Sequence, residues 1–458
     1  MALGCWPIAQ AEGQPQLGVP YAAGGDGQLT LFLAGDTIIP LPWSADEDPG
    51  FLALVAEMRA ADVTVVNLEL VLHSFKGYAQ ADSGGTYVSG PPEIARELAW
   101  AGVDIVATAN NHAFDWGSIG VLENIDSLVA AGLRWAGTGA DLQRARAPAY
   151  VDHPDGRVAL VATASSFISY GRASRSRPDV AGRPGLNPLR TEIGRFIEVP
   201  PWLADAVGSA APVLGLPVRH LDETWLEVGG LRLRIGGGPA LRGGRRVDPS
   251  DLQGNLAAVA EASESATVVI FSIHAHHQGP WLAQVAQQAI ESGANVVLIH
   301  GPHEMRGIEL HRGAPIFYSL GDFVFQPEQS ARFPSESYEP YGLDDSATPD
   351  DYRRKREEEG LWPGREPWES VAALLRFDRG GELRELTLLP LTLGMDAPPG
   401  VKGKPRRAGT ALGREIIDRI SERSRGYGTR VRYDPERNVG IVLPVGSDAV
   451  VPTADARD

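Results

Sequence analysis

Three short runs, LTLFLAGD (29–36), VTVVNLE (63–69) and VDIVATANNH (103–112), are apolar on nearly every residue and then stop on polar ones. A strand apolar on both faces must be covered on both faces, which is the situation of a sheet flanked by helices. Helical periodicity fills the intervals. DPGFLALVAEMRAAD (48–62) has Asp48 and Pro49 as start signals, and PPEIARELAWAG (91–102) has a proline start and a glycine stop. SIGVLENIDSLVAAG (118–132) follows, with Ser118 as the expected N-cap. Further on come the strand RVALVATAS (157–165), the strand ATVVIFSIHAHH (266–277), the helix WLAQVAQQAIESG (281–293) and the strand ANVVLIHGPHE (294–304). GIELHRGAPIFYSLGDFVF (307–325) reads as a hairpin, as does the stretch around Arg379-Gly380-Gly381 in 370–391. The class is α/β with mixed sheets.

The expected organisation is an irregular leader over 1–28, a core over 29–326 with an insertion at about 171–250, and a C-terminal excursion, hairpin and helix over 327–446 that completes the core. A disordered tail over 447–458 is expected to follow. Strands are expected near 223–235 inside the insertion. With 458 residues and a net charge of −16, general nucleic-acid binding is excluded, because it needs a basic surface. One cysteine, Cys5, rules out an internal disulfide and thiolate zinc sites. No charged or apolar leader precedes Cys5 for lipid attachment, and no apolar run reaches the roughly 18 residues a membrane span needs. The expectation is a cytoplasmic protein without a membrane or nucleic-acid partner.

Chemistry concentrates at strand ends. Gly35-Asp36, Asn67-Leu68-Glu69, Asn110-Asn111-His112, His274-Ala275-His276-His277 and His300-Gly301-Pro302-His303 each close an apolar run, and they take six of the chain's ten histidines. Each alone has an ordinary explanation as a turn or cap. Together they lie where open α/β sheets bind ligands, outside the carboxyl ends of the strands. Carboxylate, amide and imidazole donors suit manganese, iron or zinc, and a two-metal site needs a bridging carboxylate. Asp36 or Glu69 could bridge, Asn111 could ligate one ion, and His274 and His303 the other. His112 would then be free to transfer protons. The loop 171–190 adds Arg172, Arg175, Arg177, Arg183 and Arg190, which could clamp substrate carboxylates.

The order Gly-Asp, Asn-Leu-Glu, Ala-Asn-Asn-His, Ser-Ile-His, His-Gly-Pro-His and PIFYSLGDFVF resembles the CapA family. That family is the poly-γ-glutamate capsule-synthesis branch of the calcineurin-like metallophosphoesterase superfamily. The resemblance spans roughly 29–165 and 266–326. It implies a four-layer α/β/β/α sandwich with the site where the strand ends of two sheets meet. It also implies Asp36, Glu69, Asn111, His274 and His303 as metal ligands and His112 as the catalytic histidine. Asn67, His276, His300, Arg183 and Arg190 are candidates for substrate contact. The chain departs from the superfamily at Asp36-Thr37-Ile38, where Asp-x-His is usual. It departs again at Gly301, where the closing Gly-His-x-His pattern has its first histidine.

Three functions follow. One is metal-assisted hydrolysis or transfer on a peptidic or polycarboxylate substrate, with one or two divalent ions, no organic cofactor, and His112 as acid/base. The second, implied by a lasso-peptide epimerase branch of the family, is inversion of a Cα without metal, using an Asp36–His112 dyad facing His303. The third is a binding module with a degenerate site.

Overall fold

The computed structural model of the protein describes residues 27–236, 240–359, 364–398 and 400–443. Residues 1–26 of the expected leader, with Cys5, and the whole of the expected tail lie outside the described residues.

Two mixed sheets form the core. The first runs Arg430–Asp434, Val439–Leu443, Leu383–Thr392, Glu369–Asp378, Gln28–Ile38, Val63–Leu68, Ile105–Ala107 and Arg134–Ala136 in spatial order, with Arg406–Arg407 added beside Leu383–Thr392. The second runs Ile308–His311, Ala314–Phe317, Val296–His300, Val268–His274, Gly156–Ala164 and Ala149–His153. The uniformly apolar runs are parallel central strands, buried at every residue in Val63–Leu68, Gly156–Ala164, Val268–His274 and Val296–His300.

Because side chains alternate across a strand, each sheet has two faces to cover. Leu29, Leu31, Leu33, Val63 and Val65 of the first sheet meet Val158, Leu160, Val268, Ile270 and Leu298 of the second in one apolar layer. The opposite face of the first sheet, through Phe32, Ala34 and Val66, packs on Phe51, Leu54, Val55 and Leu98 of helices Pro49–Ala60 and Ile94–Ala101. The opposite face of the second packs on helices Pro249–Ser263 and Pro280–Glu291 through Val259, Leu282 and Val285. The result is the four-layer α/β/β/α sandwich.

Helix starts follow local chemistry in some places and tertiary packing in others. Asp48 Oδ1 accepts from Phe51 N at 2.8 Å with Pro49 in the first turn, as expected. Helix Gly117–Ala131, by contrast, has Trp116 at the cap and no side-chain cap bond, so Ser118 lies inside the helix and does not cap it. The strand expected over 103–112 is confined to Ile105–Ala107, because Asn110 to Asp115 form a tight turn leading into that helix.

Two larger corrections concern topology. Ile308–His311 and Ala314–Phe317 are indeed a hairpin, but Asp322–Phe325 leaves it and crosses to the first sheet. There it pairs with residues 36–38 of Gln28–Ile38, beyond the stretch 28–33 paired with Glu369–Asp378. The insertion is a five-stranded sheet with its own apolar cluster around Ala204, Leu226 and Leu233, including helix Pro201–Ala210. It contains the expected strands as Trp225–Val228 and Leu231–Ile235.

Candidate metal centre

The carboxyl ends of parallel strands from both sheets converge at one place. Asp36 stands opposite Asn67 in the first sheet, and His274 opposite His300 in the second. The crossing strand adds a further carboxylate, because Asp322 stands opposite Asp36. Gly35 makes that pairing possible: a Cβ there would lie 1.8 Å from the carbonyl oxygen of Gly321. The turn after His300 is equally specific. Gly301 has φ +106° and His303 has φ +54°, a conformation that a residue with a side chain adopts only under local constraint.

Asp36 is fully buried and heavily partnered. Asn67 Nδ2 donates to its Oδ1 at 2.6 Å, and the Gly301 N–H donates to its Oδ2 at 2.9 Å. His300 Nδ1 lies 3.4 Å from Oδ1. Burial by itself would raise the Asp36 pKa. The hydrogen bond and charge of His300, with the charges of His274 and His303, overrule it and hold the carboxyl far below the usual range.

Glu69 is the opposite case. It is fully buried, and neither carboxylate oxygen has a hydrogen-bond partner among the described residues. His274 Nε2 and His303 Nε2 stand 3.6 and 3.7 Å from its Oε1. Burial, with the nearby charge of Asp36, pushes its pKa well up. A buried carboxylate without hydrogen bonds is costly to ionise, and a cation between these groups would favour the ionised form. The donors fit one. Glu69, His274 and His276 form one group whose ligand atoms lie within 4.8 Å of one another, and Asp36, Glu69 and His303 form a second, so Glu69 is common to both.

Burial holds His274 far below the ordinary imidazole value, and burial with the neighbouring charges of His303 and His112 brings His276 to about 4. Both rings are thus neutral, as ligation requires, with their Nε2 atoms 3.1 Å apart. His303 is different: burial would lower its pKa, but Asp322, at 2.8 Å from Nδ1, and Glu69 raise it to about 10. Burial raises Asp322 to about 6 against the pull of His303.

His112 sits in the tight turn with its Nδ1 2.8 Å from Asp115 Oδ2. Asp115 is fully buried and also accepts from Gly84 N at 3.2 Å. Asp115 fixes the ring and leaves Nε2 for proton transfer. The expected Asp36–His112 dyad is therefore corrected: the turn brings Asp115 to His112 from three residues away, and Asp36 is spent on Asn67, Gly301 and His300. Asn111 donates to Gly84 O at 3.0 Å, and its buried Oδ1 has no partner among the described residues.

The structure thus gathers Asp36, Asn67, Glu69, His274, His276, His300 and His303 around one centre, with Asn111 and His112 on the adjoining turn. His276, expected to touch substrate, groups with Glu69 and His274. Its Cδ2 is 2.8 Å from where a Cβ on residue 301 would stand, so it occupies the space a histidine at 301 would need. The two loop arginines are elsewhere engaged. Arg183 is exposed and donates to Arg172 O, while Arg190 forks onto Asp251 at 2.6 and 2.9 Å. Sequence reading did not assign Asp115 or Asp322 to the site. The second Gly-Asp pair, Gly321-Asp322, repeating Gly35-Asp36, was the available signal. A cleft of about 400 Å³, lined by Asn111, His276, Ser166 and Arg245 among others, opens beside this cluster.

The sequence pattern of the family described as bacterial capsule synthesis protein PGA_cap matches residues 28–327. The protein y4sH of Sinorhizobium fredii, described as uncharacterized, is 32% identical over 435 residues, covering 90% of this chain and 93% of its own length. A probable polyglutamine synthesis accessory protein of Mycobacterium tuberculosis is 26% identical over 450 residues, 95% of this chain and 91% of its own. The capsule biosynthesis protein CapA of Bacillus anthracis is 21% identical over 272 residues, 58% of this chain and 51% of its own. With the family pattern covering the whole strand-end cluster, the chain belongs to the bacterial capsule synthesis protein PGA_cap family.

Proposed function

We propose that this chain is a metal-dependent enzyme that cleaves or transfers an amide bond in a peptidic, carboxylate-rich substrate of the γ-linked glutamate kind. The observation that carries the reading is Glu69, buried and without a hydrogen-bond partner among the described residues, and shared by two groups of potential ligands. A bound divalent ion would polarise the substrate carbonyl and lower the pKa of a water. Manganese, iron and zinc all suit this donor set. Asp36, Glu69 and His303 would hold one position, and Glu69, His274 and His276 the other. His112 gives a proton from Nε2 to the leaving nitrogen, while Asp115 keeps Nδ1 occupied and the ring oriented. The substrate class rests on the printed names of the capsule-synthesis and polyglutamine-synthesis relatives.

Elemental analysis of the purified protein, before and after chelation, is the first test, followed by assay on γ-glutamyl amides and phosphoesters. Near-stoichiometric metal and activity lost on chelation are expected. Full activity in metal-free protein would overturn the reading.

Cα inversion without metal keeps one supporting observation: two imidazoles each hold a carboxylate of their own, His112 with Asp115 and His303 with Asp322. Solvent deuterium appearing at a peptide Cα without cleavage, in chelated protein, would favour it.

A further inference from the structure

Most arginines that anchor this acidic chain have carboxylate partners. Arg157 meets Asp152, Arg190 meets Asp251, Arg232 meets Glu192 and Arg407 meets Glu57. Arg245 differs. It lies on strand Ala240–Val247 of the inserted sheet, is partly buried, and donates from Nη1 to Thr191 Oγ1 at 2.8 Å. Among the described residues no carboxylate pairs with it, and burial alone pushes its pKa down, with no neighbouring charge to raise it. It lines the cleft of about 400 Å³ that Asn111 and His276 also line.

We propose that Arg245 binds a carboxylate of the substrate in the cleft beside the metal centre, so that the insertion sets substrate specificity. The identity of the substrate rests on the function proposed above; the need for an anion does not. A guanidinium partly withdrawn from water without a counter-charge is disfavoured, and an incoming anion restores the lost interaction. With Nη1 given to Thr191, the other donors of the fork remain for a planar, bidentate acceptor. Ser166, whose Oγ accepts from His276 N at 2.9 Å, keeps its hydroxyl proton to donate beside it. A guanidinium fork accepts carboxylate and phosphate alike, and the choice of a carboxylate follows the substrate class proposed above. In a γ-linked glutamate chain every amide nitrogen sits on a carbon that carries a carboxylate, so such a group always accompanies the bond placed at the centre.

The test is calorimetric binding to the full chain, as purified and after chelation, of γ-linked triglutamate, its analogue with each α-carboxylate converted to carboxamide, and inorganic phosphate. Wild type should bind the triglutamate roughly 10- to 100-fold tighter than the carboxamide. Arg245→Gln should erase that preference while retaining the metal content and melting temperature, and Arg245→Lys should restore part of it. No preference in wild type, no binding of triglutamate, a preference unchanged in Arg245→Gln, or phosphate bound as tightly as triglutamate would each overturn the proposal. The wild-type comparison stands even where a variant folds poorly. The two readings fail separately: full activity in chelated protein would sink the metal-dependent function, and an Arg245-dependent preference in that same protein would leave this inference intact.

Discussion

Glu69 concentrates the electrostatic problem of the site, because its burial penalises the charge that ligation requires. Replacing it with Gln should abolish metal retention, measured as metal per chain. In chelated protein the same change should leave the melting temperature level or higher, since burial already favours the protonated acid. Metal uptake releases that proton, so affinity should weaken as pH falls. His112→Ala should lower kcat by about 10²- to 10⁴-fold while metal content stays unchanged. His303 allows a pH test in chelated protein. Its folded pKa is raised to about 10 from an ordinary 6.5, so its contribution to stability is fully present below 6.5 and is lost as pH rises toward 10. Urea midpoints measured across that range should fall less steeply in His303→Gln; equal slopes would refute the assignment. At this scale the converging side chains were legible, because imidazoles at strand ends are conspicuous. The partners Asp115 and Asp322 were not, since one depends on a turn and the other on a strand pairing across 286 positions.

Elements bring these residues together through close backbone approach. Gly35→Ala would drive a Cβ into the Gly321 carbonyl, and a loss of about 3 kcal/mol is expected in urea denaturation. Gly132, at φ +78° with nothing within 4 Å of a Cβ, is the control, and its change to Ala should cost only about 1 kcal/mol. Central strands were legible because burial on both faces leaves an unbroken apolar run. The crossing of Asp322–Phe325 was not, because its apolar pattern is the same in either sheet and only its pairing with Gln28–Ile38 distinguishes them. Ser118 misled for a related reason: cap propensity is small, and the turn that seats His112 puts the cap position at Trp116, two residues earlier.

At the scale of the whole molecule, the inserted sheet carries an apolar cluster of its own. Thr191 and Val247 are paired neighbours, and Asp248 N donates to Arg190 O at 2.8 Å, so the ends of the inserted sheet meet at the core. Replacing 192–246 by a short Gly/Ser linker should leave cooperative unfolding and metal binding in place, because the inserted sheet has its own apolar cluster. Selectivity for carboxylated ligands should disappear with it. A deletion that retains that selectivity would assign recognition to the sandwich. No helix among the described residues is long and apolar enough to cross a membrane.

The sequence by itself determined the α/β class, the central strands and most of the positions that converge at the candidate centre. Each of these is written locally, as a period of burial or a run of donors closing a strand. Only the tertiary structure decided which carboxylate holds which imidazole, that His276 fills the space beside Gly301, and that Arg245 reaches the cleft. Those facts depend on contacts between segments far apart in the chain, where local pattern carries no information about distance.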